Sequence, residues 1–470
     1  MNRSIRVAVA MAAVLLVASA AAAAVKPNPL FSDGAVLQRD VKAPVWGTAG
    51  DGEKVSVSIC GRTASTVAEG GKWMVKLPPM KAGGPFTMTI SGENTIEVND
   101  VLVGEVWVCS GQSNMAMALK GCEGSAKTIA NSADPRLRLL TVPRLTADRP
   151  QSEVNVSWAQ CSPVTARTFS AVGYYFGRDL RKALGVPVGL IHSSWGGTPA
   201  QAWTPVEAYA YDRLIAPIPT WPKTGKAHGQ PSALYNAMIA PLQPYAIKGV
   251  IWYQGEANAN GAYTYRTLFP AMIRGWRQTW GQGDFPFLFV QLAPYMKIVS
   301  EPGESPWAEL REAQFLTSRR CKNTAMAVIT DCGNPDNIHP TRKAPVGARL
   351  ALAARTIAYN EKLVYRGPTY RGFKLTGDGI TVSFDSVGGG LVARGLNLTG
   401  WAIAGEDHKF VNAEARIVGD SVFVRSPSVP NPVAVRYGWA NCPVVNLFNA
   451  EGLPASPFRT DDFAMVTRRK

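Results

Sequence analysis

Four short stretches carry residues whose types and spacing suit attack on a carbonyl carbon. The first runs from 104 to 115, Gly-Glu-Val-Trp-Val-Cys-Ser-Gly-Gln-Ser-Asn-Met. Val106, Trp107, Val108 and Cys109 form an apolar run that reads as a buried strand, and the run stops at Ser110-Gly111. A strand that ends in a small-residue turn and lifts a hydroxyl is one way to display a nucleophilic serine, which makes Ser113 the candidate. Met115 stands where the second glycine of a Gly-x-Ser-x-Gly elbow would be. The elbow spacing is therefore not met, and a turn serine is the competing reading.

A base is the next requirement. The chain has 4 histidines, His192, His228, His339 and His408. His339 lies in Asp336-Asn337-Ile338-His339-Pro340. A carboxylate three residues before a histidine can turn back to hold one ring nitrogen, leaving the other free to take a serine proton. The order Ser, Asp, His is that of hydrolases built on doubly wound sheets. His192 reads as a structural strand-end residue. His228 sits in a Gly- and Pro-containing loop that could edge a cleft, and nothing pairs it with an acid or base.

Two further stretches run from strand to turn: Gly189-Leu-Ile-His-Ser-Ser-Trp-Gly-Gly-Thr198, and Gly249-Val-Ile-Trp-Tyr253 followed by Gln254-Gly255-Glu256-Ala257-Asn258. An oxyanion hole needs backbone N–H groups and side-chain amides aimed at developing negative charge. Gly196 or Gly197 could supply the first kind of donor and Gln254 the second.

The segments Gly-Gln-Ser-Asn-Met, Ser-Trp-Gly-Gly-Thr, Trp-Tyr-Gln-Gly-Glu-Ala-Asn and Asp-Asn-Ile-His-Pro resemble the ordered blocks of the SGNH hydrolases. More narrowly, they resemble the sialate O-acetylesterase family of carbohydrate esterases. The resemblance extends to residues 31–39 (Phe-Ser-Asp-Gly-Ala-Val-Leu-Gln-Arg) and 446–459 (Asn-Leu-Phe-Asn-Ala-Glu-Gly-Leu-Pro-Ala-Ser-Pro-Phe-Arg). It implies Ser113 as nucleophile, His339 as general base and Asp336 as its partner. It also implies an oxyanion hole of Ser113, Gly196, Gly197 and Gln254, where Gln254 stands in place of the asparagine common in the broader group. Either Gln254 or Asn258 makes that contact. Gln112, Asn114, Trp195, Glu256 and Asn258 are candidate substrate contacts. The implied substrate is an O-acetylated sugar, sialic acid first. Acetylated xylan or another plant polysaccharide is the alternative, since related esterases share these blocks. The implied chemistry requires no metal and no organic cofactor. A non-catalytic glycan-binding protein with two β modules is a third reading; it predicts sugar binding without acetate release.

The elements that must position these residues alternate. Strands are expected at 104–109, 137–142, 186–192, 247–253, 286–292 and 325–330, and helices at 171–184, 232–242, 263–280, 307–320 and 342–358. In 263–280, Tyr265, Leu268, Met272, Trp276 and Trp280 fall on one face and Gly281 ends the helix. Such alternation implies a mainly parallel sheet with helices on both sides, and ligands of such sheets bind beyond the carboxyl ends of the strands. All four blocks lie at such ends. With the resemblance, the fold class is α/β: an SGNH-hydrolase-like three-layer α/β/α domain over 104–360. Period-two alternation at 55–59, 73–77 and 86–90 gives a β domain over 25–103, and the same pattern at 380–384, 415–418, 422–425 and 433–437 gives another over 361–470. His408 falls in the latter, away from the blocks.

At 470 residues, two or three domains are expected. Residues 1–24 read as a secretory signal: Arg3 and Arg6, an apolar run from Val7 to Val17, then small residues. The run is too short and Ala-rich for a membrane span. The mature chain is expected in the periplasm or outside the cell. The formal charge of +15 falls to 15 − 2 = +13 without those two arginines, a balance that could steer acidic glycans. The basic residues form no stripe, which argues against a nucleic-acid partner. The 7 cysteines leave at least one thiol unpaired. An exported chain is permitted disulfides, and Cys321 with Cys332 is one possible bridge. No Cys-x-x-Cys or His-Glu-x-x-His spacing suggests zinc.

Overall fold

The computed structural model describes residues 24–220 and 225–468. The expected signal segment lies outside them apart from residue 24. Seven strands form the main path of an 11-stranded central sheet: β1 (Thr95–Gly111), β2 (Asp134–Thr141), β3 (Trp158–Cys161), β4 (Val188–Ser194), β5 (Gly249–Tyr253), β6 (Phe287–Val290) and β7 (Thr324–Ala327). Their spatial order is β3-β2-β4-β1-β5-β6-β7. All neighbours are parallel except β3, which runs antiparallel to β2 at the edge. Among the described residues, four helices of 14 residues or more accompany it: α1 (Ala171–Leu184), α2 (Ala262–Trp280), α3 (Pro306–Arg320) and α4 (Ala344–Ile357).

Burial follows from the pleat. Residues 101–111 of β1 are buried without interruption, as expected of a strand covered on both faces. Alternate side chains enter two separate cores. Trp107, Cys109, Leu190, Ile251 and Leu288 pack with α1 and α4 residues such as Val172, Phe176 and Leu350. Val106, Val108, Ile191, Val250 and Trp252 pack with Leu268, Met272 and Trp276 of α2 and Leu310 of α3. The helices begin and end where local chemistry dictates. Ser170 and Ser305 accept the Gly173 and Ala308 N–H groups as N-caps. Gly185 and Gly281 close α1 and α2 in the left-handed conformation.

Two features depart from the sequence reading. Residues 232–242 are not one α-helix: a π-helical turn at Tyr235–Ile239 passes into a 3₁₀ turn at Ala240–Leu242. Pro241 lacks an N–H, which limits continuation of the ladder there. The second concerns the cysteines, all seven of which are free thiols. Cys321 and Cys332 lie beyond opposite ends of the extended β7, so a bridge between them is not formed.

The expected boundary at 103/104 falls within β1. The first part of this 17-residue strand pairs with Gly83–Ser91 and Val36–Gln38, and its last part pairs with β4 and β5. The amino-terminal strands and the central sheet thus share one continuous element. The carboxy-terminal region has two four-stranded sheets and one two-stranded sheet around its own core, which includes Ile380, Trp401, Val422 and Tyr437. It is fastened to α3. Arg311, fully buried, donates to the Leu292, Ala293, Ala440 and Asn441 carbonyls. Arg459 pairs with Glu312, and Glu309 accepts the Val466 and Thr467 N–H groups. Among the described residues, no helix is long and apolar enough to cross a membrane.

Candidate active site

The chain steps from β4 on one side of β1 to β5 on the other, so a crevice opens at the carboxyl ends of these three strands. Gly111 ends β1 at φ +135°, and a Cβ there would lie 2.1 Å from the Tyr253 carbonyl oxygen. Only glycine allows this approach of β1 to β5. The next residue, Gln112, donates its N–H to that carbonyl at 3.0 Å, and its Oε1 accepts the Ala257 N–H at 3.2 Å. Ser113 then opens a single helical turn, Ser113–Ala116, and is half-buried. Its N–H is among the donors a helix start leaves without an intrahelical partner.

The β4 loop comes up against this serine. Trp195 donates its N–H to the Gly111 carbonyl at 3.1 Å. A Cβ on Gly196 would sit 3.2 Å from Ser113 Cβ, so the glycine backbone lies against the nucleophile candidate. Gly197 adopts φ +72° and faces open space. Thr198 Oγ1 locks the turn, donating to the Trp195 carbonyl at 2.7 Å and accepting the Trp203 indole N–H at 2.9 Å. The Trp195 ring stacks on His228, with centroids 4.7 Å apart and planes 17° apart.

The two side-chain amides are engaged elsewhere. Gln254 is fully buried. Its Nε2 donates to the Thr198 carbonyl at 3.2 Å and to Asn258 Oδ1 at 2.7 Å, and its Oε1 accepts from Tyr265. Both amide protons are occupied. Asn258 Nδ2 donates to Gln201 at 2.9 Å, and Oδ1 also accepts the Ala200 N–H. One Asn258 proton remains over.

Asn114 is the junction of the site. Its Nδ2 donates to Glu256 Oε1 at 2.5 Å and to the Ile338 carbonyl at 2.9 Å, and its Oδ1 accepts from Lys343 Nζ. Asn114 follows Ser113 and Ile338 precedes His339, so this one amide brings the two chemical segments together. Lys343 is 1% exposed. Burial pushes its ammonium down to about 8, against the attraction of Glu256. Burial likewise raises the Glu256 carboxyl, whose Oε2 is buried without a hydrogen-bond partner.

His339 is half-buried, with its N–H on Asn337 Oδ1 at 2.8 Å. Burial lowers its imidazole below the ordinary range, and the Lys343 charge acts in the same direction. Asp336 is exposed. Among the described residues, no hydrogen bond or ion pair joins its carboxylate to His339; its charge acts on the Cys442 thiol. The structure thus brings Ser113, Gly196 and the His339 segment together but does not join Asp336 to the histidine. Of the other histidines, His192 is buried on Ser194 Oγ at 2.6 Å, and His408 stacks on Phe463. Lys343, Gln201 and Thr198 were not singled out from the sequence. Lys343 stands four residues after His339, and its burial was the missing signal.

A family model described as "Carbohydrate esterase, sialic acid-specific acetylesterase" matches residues 103–357. The chain is 35% identical over 402 residues to a Rattus norvegicus protein named sialate O-acetylesterase, covering 71% of this chain and 73% of that one. It is 36% identical over 374 residues to the Homo sapiens protein of the same name, covering 71% of each. A solved structure of a carbohydrate acetylesterase from Xanthomonas citri superposes with a TM-score of 0.87 at 43% identity, covering 93% of this chain and 100% of that one.

Proposed function

The chain belongs to the sialate O-acetylesterase family of carbohydrate esterases, and from that premise we propose that it is an exported serine esterase that removes O-acetyl groups from sialic acid. It is a carboxylic ester hydrolase. The observation that carries the reading is the Asn114–Ile338 hydrogen bond, which ties the turn after β1 that carries Ser113 to the loop after β7 that carries His339. The layout of the sheet and its two cores fits an SGNH-type three-layer domain flanked by β domains.

In this mechanism His339 takes the Ser113 proton and Ser113 Oγ attacks the acetyl carbonyl. The imidazole is neutral at lower pH than an ordinary histidine, which suits a base. The backbone N–H groups of Ser113 and Gly196 face the developing oxyanion, and each such donor contributes about 2.7–4 kcal/mol. Gln254 and Asn258 hold the Thr198 turn, and the spare Asn258 proton is a side-chain amide donor left for the oxyanion. His339 returns its proton to the leaving sugar hydroxyl. It then activates the water that hydrolyses acetyl-Ser113. Asp336, three residues before His339, is the proposed carboxylate partner of the imidazolium.

A second reading keeps the chemistry and changes the glycan to acetylated xylan or another neutral polysaccharide. The Trp195–His228 stack beside Gly196 favours it, because an aromatic face suits the apolar face of a sugar ring. Acetate release by wild type and Ser113→Ala on O-acetylated sialic acid and on acetylated xylan tests both readings. Wild-type turnover on sialic acid, lost in the variant, supports the first. Turnover confined to xylan selects the second, and full activity in Ser113→Ala refutes both.

A further inference from the structure

We propose that Lys343 is a positioning residue of the deacetylation site: its ammonium fixes the Asn114 amide, and the fixed amide ties the loop carrying His339 to the turn carrying Ser113. The proposal rests on the serine-esterase reading above. Its basis is the donor and acceptor inventory. An ammonium only donates, so Asn114 must turn Oδ1 toward Lys343. Both Nδ2 protons then face acceptors, Glu256 Oε1 at 2.5 Å and the Ile338 carbonyl at 2.9 Å. A flipped amide would aim its oxygen at those two acceptors and leave its N–H groups toward a cation. Lys343 thus selects the one amide orientation that closes the site.

The placement of the lysine fits this role. It lies just before α4, four residues after His339, and is 1% exposed. A surface lysine would keep its charge in water; this one is held in the interior, where an unpaired charge is costly. The groups that face it are the Glu256 carboxylate and the Cys122 and Cys332 thiols, the Tyr253 ring at 5.1 Å and His339. Among the described residues, the one hydrogen-bond partner of its ammonium is Asn114.

The test compares Lys343→Met, which cannot donate, with Lys343→Gln, which can donate to Asn114 Oδ1 without a charge. Acetate release is measured for each, with near-ultraviolet circular dichroism as the check on folding. Lys343→Met is expected to lower kcat by roughly tenfold or more, as loosened catalytic geometry does, with KM little changed. Lys343→Gln is expected to restore a large part of kcat. A folded Lys343→Met with wild-type kcat overturns the proposal, as does a Gln variant no better than Met. Should Lys343→Met not fold, Asn114→Asp serves: it keeps an acceptor for Lys343 but removes both Nδ2 donors, and wild-type kcat in that folded variant also overturns the proposal. Ser113→Ala is run alongside. If it remains active, the serine reading itself falls, whatever the Lys343 variants show.

Discussion

Gly196→Ala and Gly197→Ala differ by one position and should fail in opposite ways. At Gly196 the new methyl would meet Ser113 Cβ at 3.2 Å, and the backbone there is outside the left-handed region. An ordinary carbon–carbon contact is about 3.5–4.0 Å, so the serine must retreat by roughly 0.3–0.8 Å. A 1 Å displacement of a catalytic group costs about a hundredfold, which scales to a loss of roughly 4- to 40-fold in kcat. Folding should hardly change, because Gly196 is half-buried and a small shift relieves the contact. Gly197 is the reverse. Its φ of +72° is strained for alanine, but nothing lies within 4 Å of the added methyl. That strain costs about 1–2 kcal/mol of stability, while Ser113 is untouched. Steady-state acetate release and urea unfolding of both variants separate the effects. Wild-type kcat in folded Gly196→Ala would show that this loop does not bear on the working nucleophile. Parallel loss of activity and stability in both variants would assign the effect to loop strain and also refute the reasoning.

Two predictions concern buried groups away from Ser113. Burial, with Arg144 in support, pushes His192 down to about 4. The unfolded chain therefore binds a proton that the folded chain refuses between about pH 6.5 and 4, so stability is full above 6.5 and falls with pH across that window. The full effect is on the order of 3 kcal/mol, and His192→Gln should flatten that part of the urea-midpoint profile; an unchanged slope counts against it. Arg311→Met removes four hydrogen bonds. The Ala293 carbonyl keeps the Trp307 indole and the Asn441 carbonyl keeps the Tyr295 N–H, so the Leu292 and Ala440 carbonyls lose their donor. At about 1–3 kcal/mol for each unsatisfied group, stability should drop by roughly 2–6 kcal/mol, with earlier proteolysis of the 440–445 segment. A variant as stable and resistant as wild type contradicts the assigned fastening role.

Much of the scaffold was legible because its signals are local. The period of α2 placed Tyr265, Leu268, Met272, Trp276 and Trp280 on one face, and all five are buried. The apolar runs expected as strands at 104–109, 186–192 and 247–253 mark three strands that prove to be neighbours in the sheet. Where the reading was incomplete, the deciding contacts lie far apart in sequence. The unity of β1 with both the amino-terminal strands and the central sheet depends on pairings at either end of one strand, and an apolar run does not reveal which partners flank it. The π-helical turn at Tyr235–Ile239 has a helical apolar period, so its geometry was hidden by the same pattern that placed it.

The site divides along the same line. Residue type and spacing pointed to Ser113, Gly196 and His339 because each follows a strand or turn with a readable signature. What the sequence could not show is how the polar side chains are shared. Asn114, Glu256, Gln254 and Asn258 all read as groups free to touch substrate. In the folded chain Asn114 and Glu256 join Lys343 in a closed network, and Gln254 and Asn258 join Thr198 and Gln201 in another. Four amides and a buried cation in a crevice must satisfy one another before they can serve a ligand, since a buried donor left without an acceptor costs about 1–3 kcal/mol. On the proposed reading, the Trp195–His228 stack and the backbone N–H groups of Ser113 and Gly196 are the groups offered to substrate. Specificity for the sugar is therefore sought in the aromatic wall, while the amides keep the catalytic loops in register.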